Sequence, residues 1–121
     1  MEGCAASVGR TLIISDDDVE RALNYLRDSA PKAAVARSQA KTLEKYLGIV
    51  EAKCKSMATQ DGMSNAASQD WARSSNDYKQ ALDGWMEAVR QDAEFTMLRE
   101  AASSRLDAWR TWQATTRSAR I

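Results

Sequence analysis

The chain has 121 residues, 17 basic and 17 acidic side chains, no histidine, two cysteines and a single proline. That length supports one modest core, and the charge balance leaves no global field to recruit nucleic acid or a membrane surface. Without histidine, a zinc site, a Cys/His nucleophile and a bundle di-metal centre all lack ligands, and Cys4 and Cys54 are too far apart in sequence to suggest a disulfide framework.

The net balance hides segregation by segment. Residues 16–28 carry two basic and five acidic groups (net −3), and residues 32–57 carry six and two (net +4). Residues 58–98 carry three and seven (net −4), and residues 99–121 carry five and two (net +3). Such alternation predicts segments that pack side by side, within one chain or between two.

Residues 1–14 hold two glycines and then the apolar run Thr11-Leu12-Ile13-Ile14. They read as a flexible arm with an apolar tag, ahead of one helical domain over 15–121. The start has neither a basic leader nor a long apolar run, no stretch approaches a membrane span, and a free Cys54 suits a reducing cytoplasm.

Ser15 followed by Asp16, Asp17 and Asp18 signals a helix start, with a hydroxyl to cap free amides and carboxylates beside the positive end of the helix dipole. The three aspartates lack the alternation, glycine and distal glutamate of a calcium loop, so no metal is expected there. Val19, Ala22, Leu23 and Leu26 share one face of a short helix. Pro31, which has no amide hydrogen, is expected to end it near Ser29 and to open the next helix.

From Ala33 the small and apolar residues Ala33, Ala36, Ala40, Leu43, Leu47, Val50, Cys54 and Met57 recur at alternating gaps of three and four. This predicts a helix over 31–59 packed lengthwise against another, roughly 42 Å long. Lys41, Lys45, Lys53 and Lys55 lie off that seam as a solvated face. Gln60-Asp61-Gly62-Met63-Ser64 predicts a turn, followed by a short helix carrying Trp71 to about Arg73. Ser74-Ser75-Asn76-Asp77 offers a further cap, and a last helix of about 63 Å is expected to run to about Ser118.

At about 100° per residue, Tyr78, Leu82, Trp85 and Val89 share one face of that last helix, whereas Phe95, Leu98, Ala102, Leu106 and Trp109 share another. The expectation is a stutter, and a last helix that overshoots its mate. The fold class expected is therefore all-α: a long antiparallel, coiled-coil-like helical hairpin with a short N-terminal helix and a small helix near the turn. Exposed Trp109 and Trp112 would then favour a homodimer through the C-terminal half of the last helix.

No glycine-rich phosphate loop is present, and Asp83 with Glu87 reads as a solvated helix face. No enzyme activity, cofactor or metal is expected. Arg99, Arg105, Arg110, Arg117 and Arg120 interleave with Trp109 and Trp112. Arginine-flanked tryptophans suit either a protein partner or single-stranded nucleic acid. Arg99, Arg105, Trp109, Arg110, Trp112 and Arg117 are the candidate contact residues.

Three patches carry a resemblance: Tyr25-Leu26-Arg27-Asp28-Ser29-Ala30-Pro31-Lys32-Ala33-Ala34 with Ala36-Arg37; Leu43-Glu44 with Lys53 and Met57; and Leu106-Asp107-Ala108-Trp109-Arg110 leading through Gln113-Ala114 to Arg117. Together they resemble a family of small helical proteins of tailed bacteriophages and prophages. The chain departs from that pattern at Thr42, where members carry tyrosine, and at Ser74-Ser75, where they have a proline-containing break. The resemblance implies a protein made early in infection, alongside DNA replication or recombination functions, and defines no catalytic residue. It implies a non-enzymatic accessory factor that binds a phage or host protein. Single-stranded DNA binding and a structural role in the virion are the alternatives.

Overall fold

The computed structural model describes residues 14–119. Of the expected arm over 1–14, all but Ile14 lies outside the described residues, as do Cys4 and Arg120. The described chain is all helical: α1 (Asp16–Gln60), α2 (Asn65–Ser74) and α3 (Asn76–Ala119). No described helix is long and apolar enough to cross a membrane.

The helix ends follow from local chemistry. Ser15 and Asp18 cap α1 reciprocally, the Asp18 amide donating to Ser15 Oγ and the Ser15 amide to Asp18 Oδ2, each at 3.2 Å. At the other end, the Met63 amide donates to the Ala58 carbonyl (3.2 Å) and the Gly62 amide to that of Thr59 (3.0 Å). This is a Schellman stop, which needs a left-handed residue, and Gly62 supplies it with φ +93°. Ser64 caps α2 by accepting from the Ala67 amide. Ser75 serves two helices, donating from Oγ to the Ala72 carbonyl (2.7 Å) and accepting from the Tyr78 amide (3.2 Å).

Pro31 does not end a helix. The expected short helix over 16–29 and the helix over 31–59 are one continuous α1, with Pro31 inside it. The ring lacks the donor for the Arg27 carbonyl and crowds it, at a cost of about 3 kcal/mol in a helix interior. Packing on either side of the proline overrides that local preference. The corrected α1 has 45 residues and α3 has 44, so the inferred overshoot, and the dimer argument built on it, lose their premise.

Burial along α3 corrects a second expectation. Ala81, Trp85, Ala88, Asp92, Phe95, Arg99, Ala102, Leu106 and Trp109 are all buried or half-buried, and their gaps alternate four and three without a stutter. Hydrophobicity alone favours Leu82, Val89 and Leu98 over the buried Ala81 and Ala88 and the half-buried Arg99, and so divides one seam into two faces. On α1 the buried row runs Ala22, Leu26, Ser29, Ala33, Ala36, Ala40, Leu43, Leu47, Val50 and Cys54, as read from the sequence from Ala33 onward. It ends on Ala58 (1% exposed) rather than on Met57, which is 53% exposed.

Contacts divide the chain into two compact units, Met1–Pro31 with Thr96–Ile121, and Lys32–Phe95. In the first, Ala22, Ala102 and Leu106 form a buried cluster with Val19, Tyr25 and Leu26 against it. In the second, Val50, Cys54, Ala72 and Ala81 form the cluster, flanked by Leu47 and Tyr78. There Arg37 pairs with Asp92 (3.6 Å) and Arg73 of α2 with Glu51 (2.9 Å). Most buried apolar positions are alanines, which let helix backbones approach closely but contribute little transfer energy each.

Candidate protein-binding stripe

The six candidate contact residues all lie on α3 within the first unit, and the helix deals them to three different faces. Arg99 and Trp109 sit in the seam, both half-buried. Arg99 Nη1 donates at 2.7 Å to both the Leu26 carbonyl and Ser29 Oγ, and Ser29 is only 4% exposed. That guanidinium is committed to holding α1 in the turn before Pro31. The Trp109 indole Nε1 is buried without a hydrogen-bond partner, as is the Tyr25 hydroxyl.

Arg105 and Trp112, seven residues apart, flank the seam on one side. Arg110 and Arg117, also seven apart, lie on the opposite flank, and Arg110 is paired with Asp107 (3.6 Å), both groups being largely exposed. Of the six candidates, Arg105 and Trp112 are the only arginine and tryptophan to share an exposed flank, so the alternation of tryptophan and arginine along the chain is not an alternation on one surface. A pattern of residue types along the chain could not show this, because neighbours in sequence point 100° apart on a helix.

The flank holding Arg105 and Trp112 has a regular composition. Leu98, Ala101, Arg105, Ala108 and Trp112 follow one another at gaps of three, four, three and four, and every one is exposed. Leu98 is 49% and Trp112 42% exposed. This second seam runs beside the buried one and has no described partner. Two large apolar residues bracket two alanines and a central arginine, so another helix could approach at the alanines and insert against the ends. Leu98 and Ala101 are not among the six candidate contact residues, although their heptad spacing to Trp112 is the sequence signal for them.

Compared with protein-family models, curated proteins and solved structures, the chain matches none. The argument for this surface therefore rests on its own geometry. Beside the stripe, Leu98, Ala101 and Arg105 line a cavity of about 270 Å³ with Arg21, Ala22 and Tyr25 of α1. Two guanidinium groups thus border an apolar floor, which suits an apolar ridge with carboxylates on its edges.

The remaining electrostatics are local. Ser15 hydrogen bonds hold the Asp18 carboxyl below its ordinary value, with Arg21 and Arg105 adding to the effect. Hydrogen bonds from Arg90, and then from Gln91, lower Glu87 to about 2, and its partnership with Glu87 raises Arg90. Glu51 raises Arg73 in the same way. Among the described residues no cluster of three or more metal-ligating side chains occurs.

Proposed function

We propose that this chain is a non-enzymatic protein-binding module, built from long helices with coiled-coil-like packing. It offers the stripe Leu98, Ala101, Arg105, Ala108 and Trp112 to an amphipathic helix of another protein. The observation that carries this reading is a second, solvent-facing row at heptad spacing beside a seam that is already filled. A helix with apolar residues three and four apart and acidic residues on its margins would meet Leu98 and Trp112 at its ends and Arg105 at its centre. Arg21 lies within reach of the same acidic margin.

On this reading, taken together with the resemblance to small helical phage proteins, the module works in the cytoplasm of an infected bacterium. There it would act as an accessory factor on a phage replication or recombination component, or on a host factor. Direct binding of single-stranded DNA is less well supported. Among the described residues Trp112 is the one exposed tryptophan on the flank that holds Arg105, while Arg110 and Arg117 lie across the seam, and a strand needs several stacking and phosphate-binding groups on one path.

Affinity capture from infected cells tests the reading when wild type is set beside two pairs of substitutions. Leu98→Glu with Trp112→Ala should abolish capture of a specific protein while circular dichroism shows the helices intact. Arg110→Gln with Arg117→Gln should leave capture unchanged. Salt-labile retention of a single-stranded oligonucleotide that is lost with the arginine pair would replace this reading with the nucleic-acid one.

A further inference from the structure

The second compact unit has an open apolar groove of about 490 Å³ between α1 and α3. Its α1 wall presents Tyr46, Ile49 and Met57, which are 51%, 63% and 53% exposed. They form a stripe with Lys53, one step around the helix from the buried seam. The α3 wall presents Asp77, Gln80, Ala81 and Gly84, which are small or polar. A Cβ added at Gly84 would meet nothing within 4 Å, so the wall is hollow at that point.

The two walls are complementary at matching heights. In this unit Arg37 faces Asp92, and Val50 shares a cluster with Ala81, so the helices run antiparallel and residue numbers across the groove add to nearly the same total. Tyr46 is therefore level with Gly84, and Lys53 with Asp77. The same opposition holds over longer stretches: residues 32–57 carry net +4 and residues 58–98 net −4.

We propose that a second copy of this chain seats on this groove, with a two-fold axis running along the helices of the unit. That axis keeps heights unchanged and places α1 of each copy on α3 of the other. Tyr46 then fills the hollow at Gly84 of the partner subunit, and Lys53 lies beside Asp77 of the partner subunit. An axis across the helices would instead stack basic α1 on basic α1 and set bulky side chains against one another, which both charge and shape oppose. Self-docking of this kind forms a four-helix bundle around Tyr46, Ile49 and Met57. It is independent of the stripe on the first unit, which stays free for another protein.

Sedimentation equilibrium of the full chain over a wide concentration range tests this. The expected mass is near twice the 13.4 kDa of one chain. Ile49→Glu should return it to that of one chain, with helicity unchanged. Gly84→Leu has open space within its own chain and improves helix propensity, yet it should weaken association at least ~10-fold by filling the hollow. Lys53→Glu and Asp77→Lys should each weaken the dimer, and their combination should restore it. A monomer at every concentration overturns the proposal, whether its groove is open to other proteins or filled by its own residues 1–13. So does a dimer indifferent to Ile49→Glu and Gly84→Leu, or a charge swap that fails to restore association.

Discussion

Replacing Arg99 by methionine keeps an apolar stem in the α3 seam and removes the two 2.7 Å hydrogen bonds to the Leu26 carbonyl and Ser29 Oγ. Hydrogen bonds from a charged donor contribute about 1.5–3 kcal/mol each, and these two share one nitrogen, so the expected loss is about 2–3 kcal/mol rather than the sum. For a chain of this size that lowers Tm by roughly 6–15 °C, a large part of a total stability of only ~5–15 kcal/mol. The same turn of α1 contains the proline. Pro31→Ala restores a backbone donor for the Arg27 carbonyl and should stabilise by about 1–2 kcal/mol, the helix-interior penalty less the loss of proline's restraint on the unfolded chain. If Arg99 braces that weakened turn, the two substitutions couple, and Arg99→Met costs about 1 kcal/mol less in the Pro31→Ala background. Thermal unfolding followed by far-ultraviolet circular dichroism measures all four corners of this cycle. Melting of Arg99→Met within ~2 °C of wild type, no different from an exposed Arg110→Met control, would refute the bracing role and return Arg99 to the binding residues.

Trp109→Phe removes a buried indole donor that has no partner while keeping an aromatic ring in the seam, so thermal unfolding should show it neutral or slightly stabilising, whereas Trp109→Ala should cost about 3 kcal/mol or more. Ala72 is fully enclosed, and Ala72→Leu should overpack the cluster around Val50 and Cys54 by about 1–3 kcal/mol in chemical denaturation. Glu87 should titrate near 2 by carboxyl NMR and return toward its ordinary 4.5 in Arg90→Gln. Because its folded value is depressed, its contribution to stability is complete above about 4.5 and is lost as pH falls from there toward 2.

The parts of the fold legible in the sequence were those decided by chemistry within a few residues. Ser15, Gly62, Ser64 and Ser75 each satisfy or terminate backbone hydrogen bonding at one helix end, and each does so in the structure. The seam from Ala33 to Cys54 was legible because its residues are uniformly small or apolar. Pro31 was misread because its local cost is real but smaller than the packing on both sides of it, and nothing near it in sequence announces Arg99, about seventy residues away. At the far end, α2 is tied to the last turn of α1 through buried Ser68, which accepts from Thr59 Oγ1 (3.1 Å) and donates to the Ser64 carbonyl (2.7 Å). The candidate site was legible in part: Arg105 and Trp112 share a flank, but Arg99 and Trp109 face inward.

The α3 seam holds two charged residues, Asp92 and Arg99, and they bear on why the helices pair in one register. The apolar positions alone fix the register weakly, since a slide of one helix past the other by a heptad still sets apolar residues mostly against apolar ones. Asp92 and Arg99 remove that freedom. In the second unit Asp92 is satisfied by Arg37, and in the first Arg99 is satisfied by Leu26 and Ser29. A shift by seven residues would bring Asp92 opposite Ala30 or Glu44 and Arg99 opposite Ala22 or Ala36, leaving a carboxylate and a guanidinium in the seam without partners. A half-buried polar group that loses its partner costs about 1–3 kcal/mol, which opposes each such slide. The apolar residues thus provide the association, and these two charged ones select its alignment.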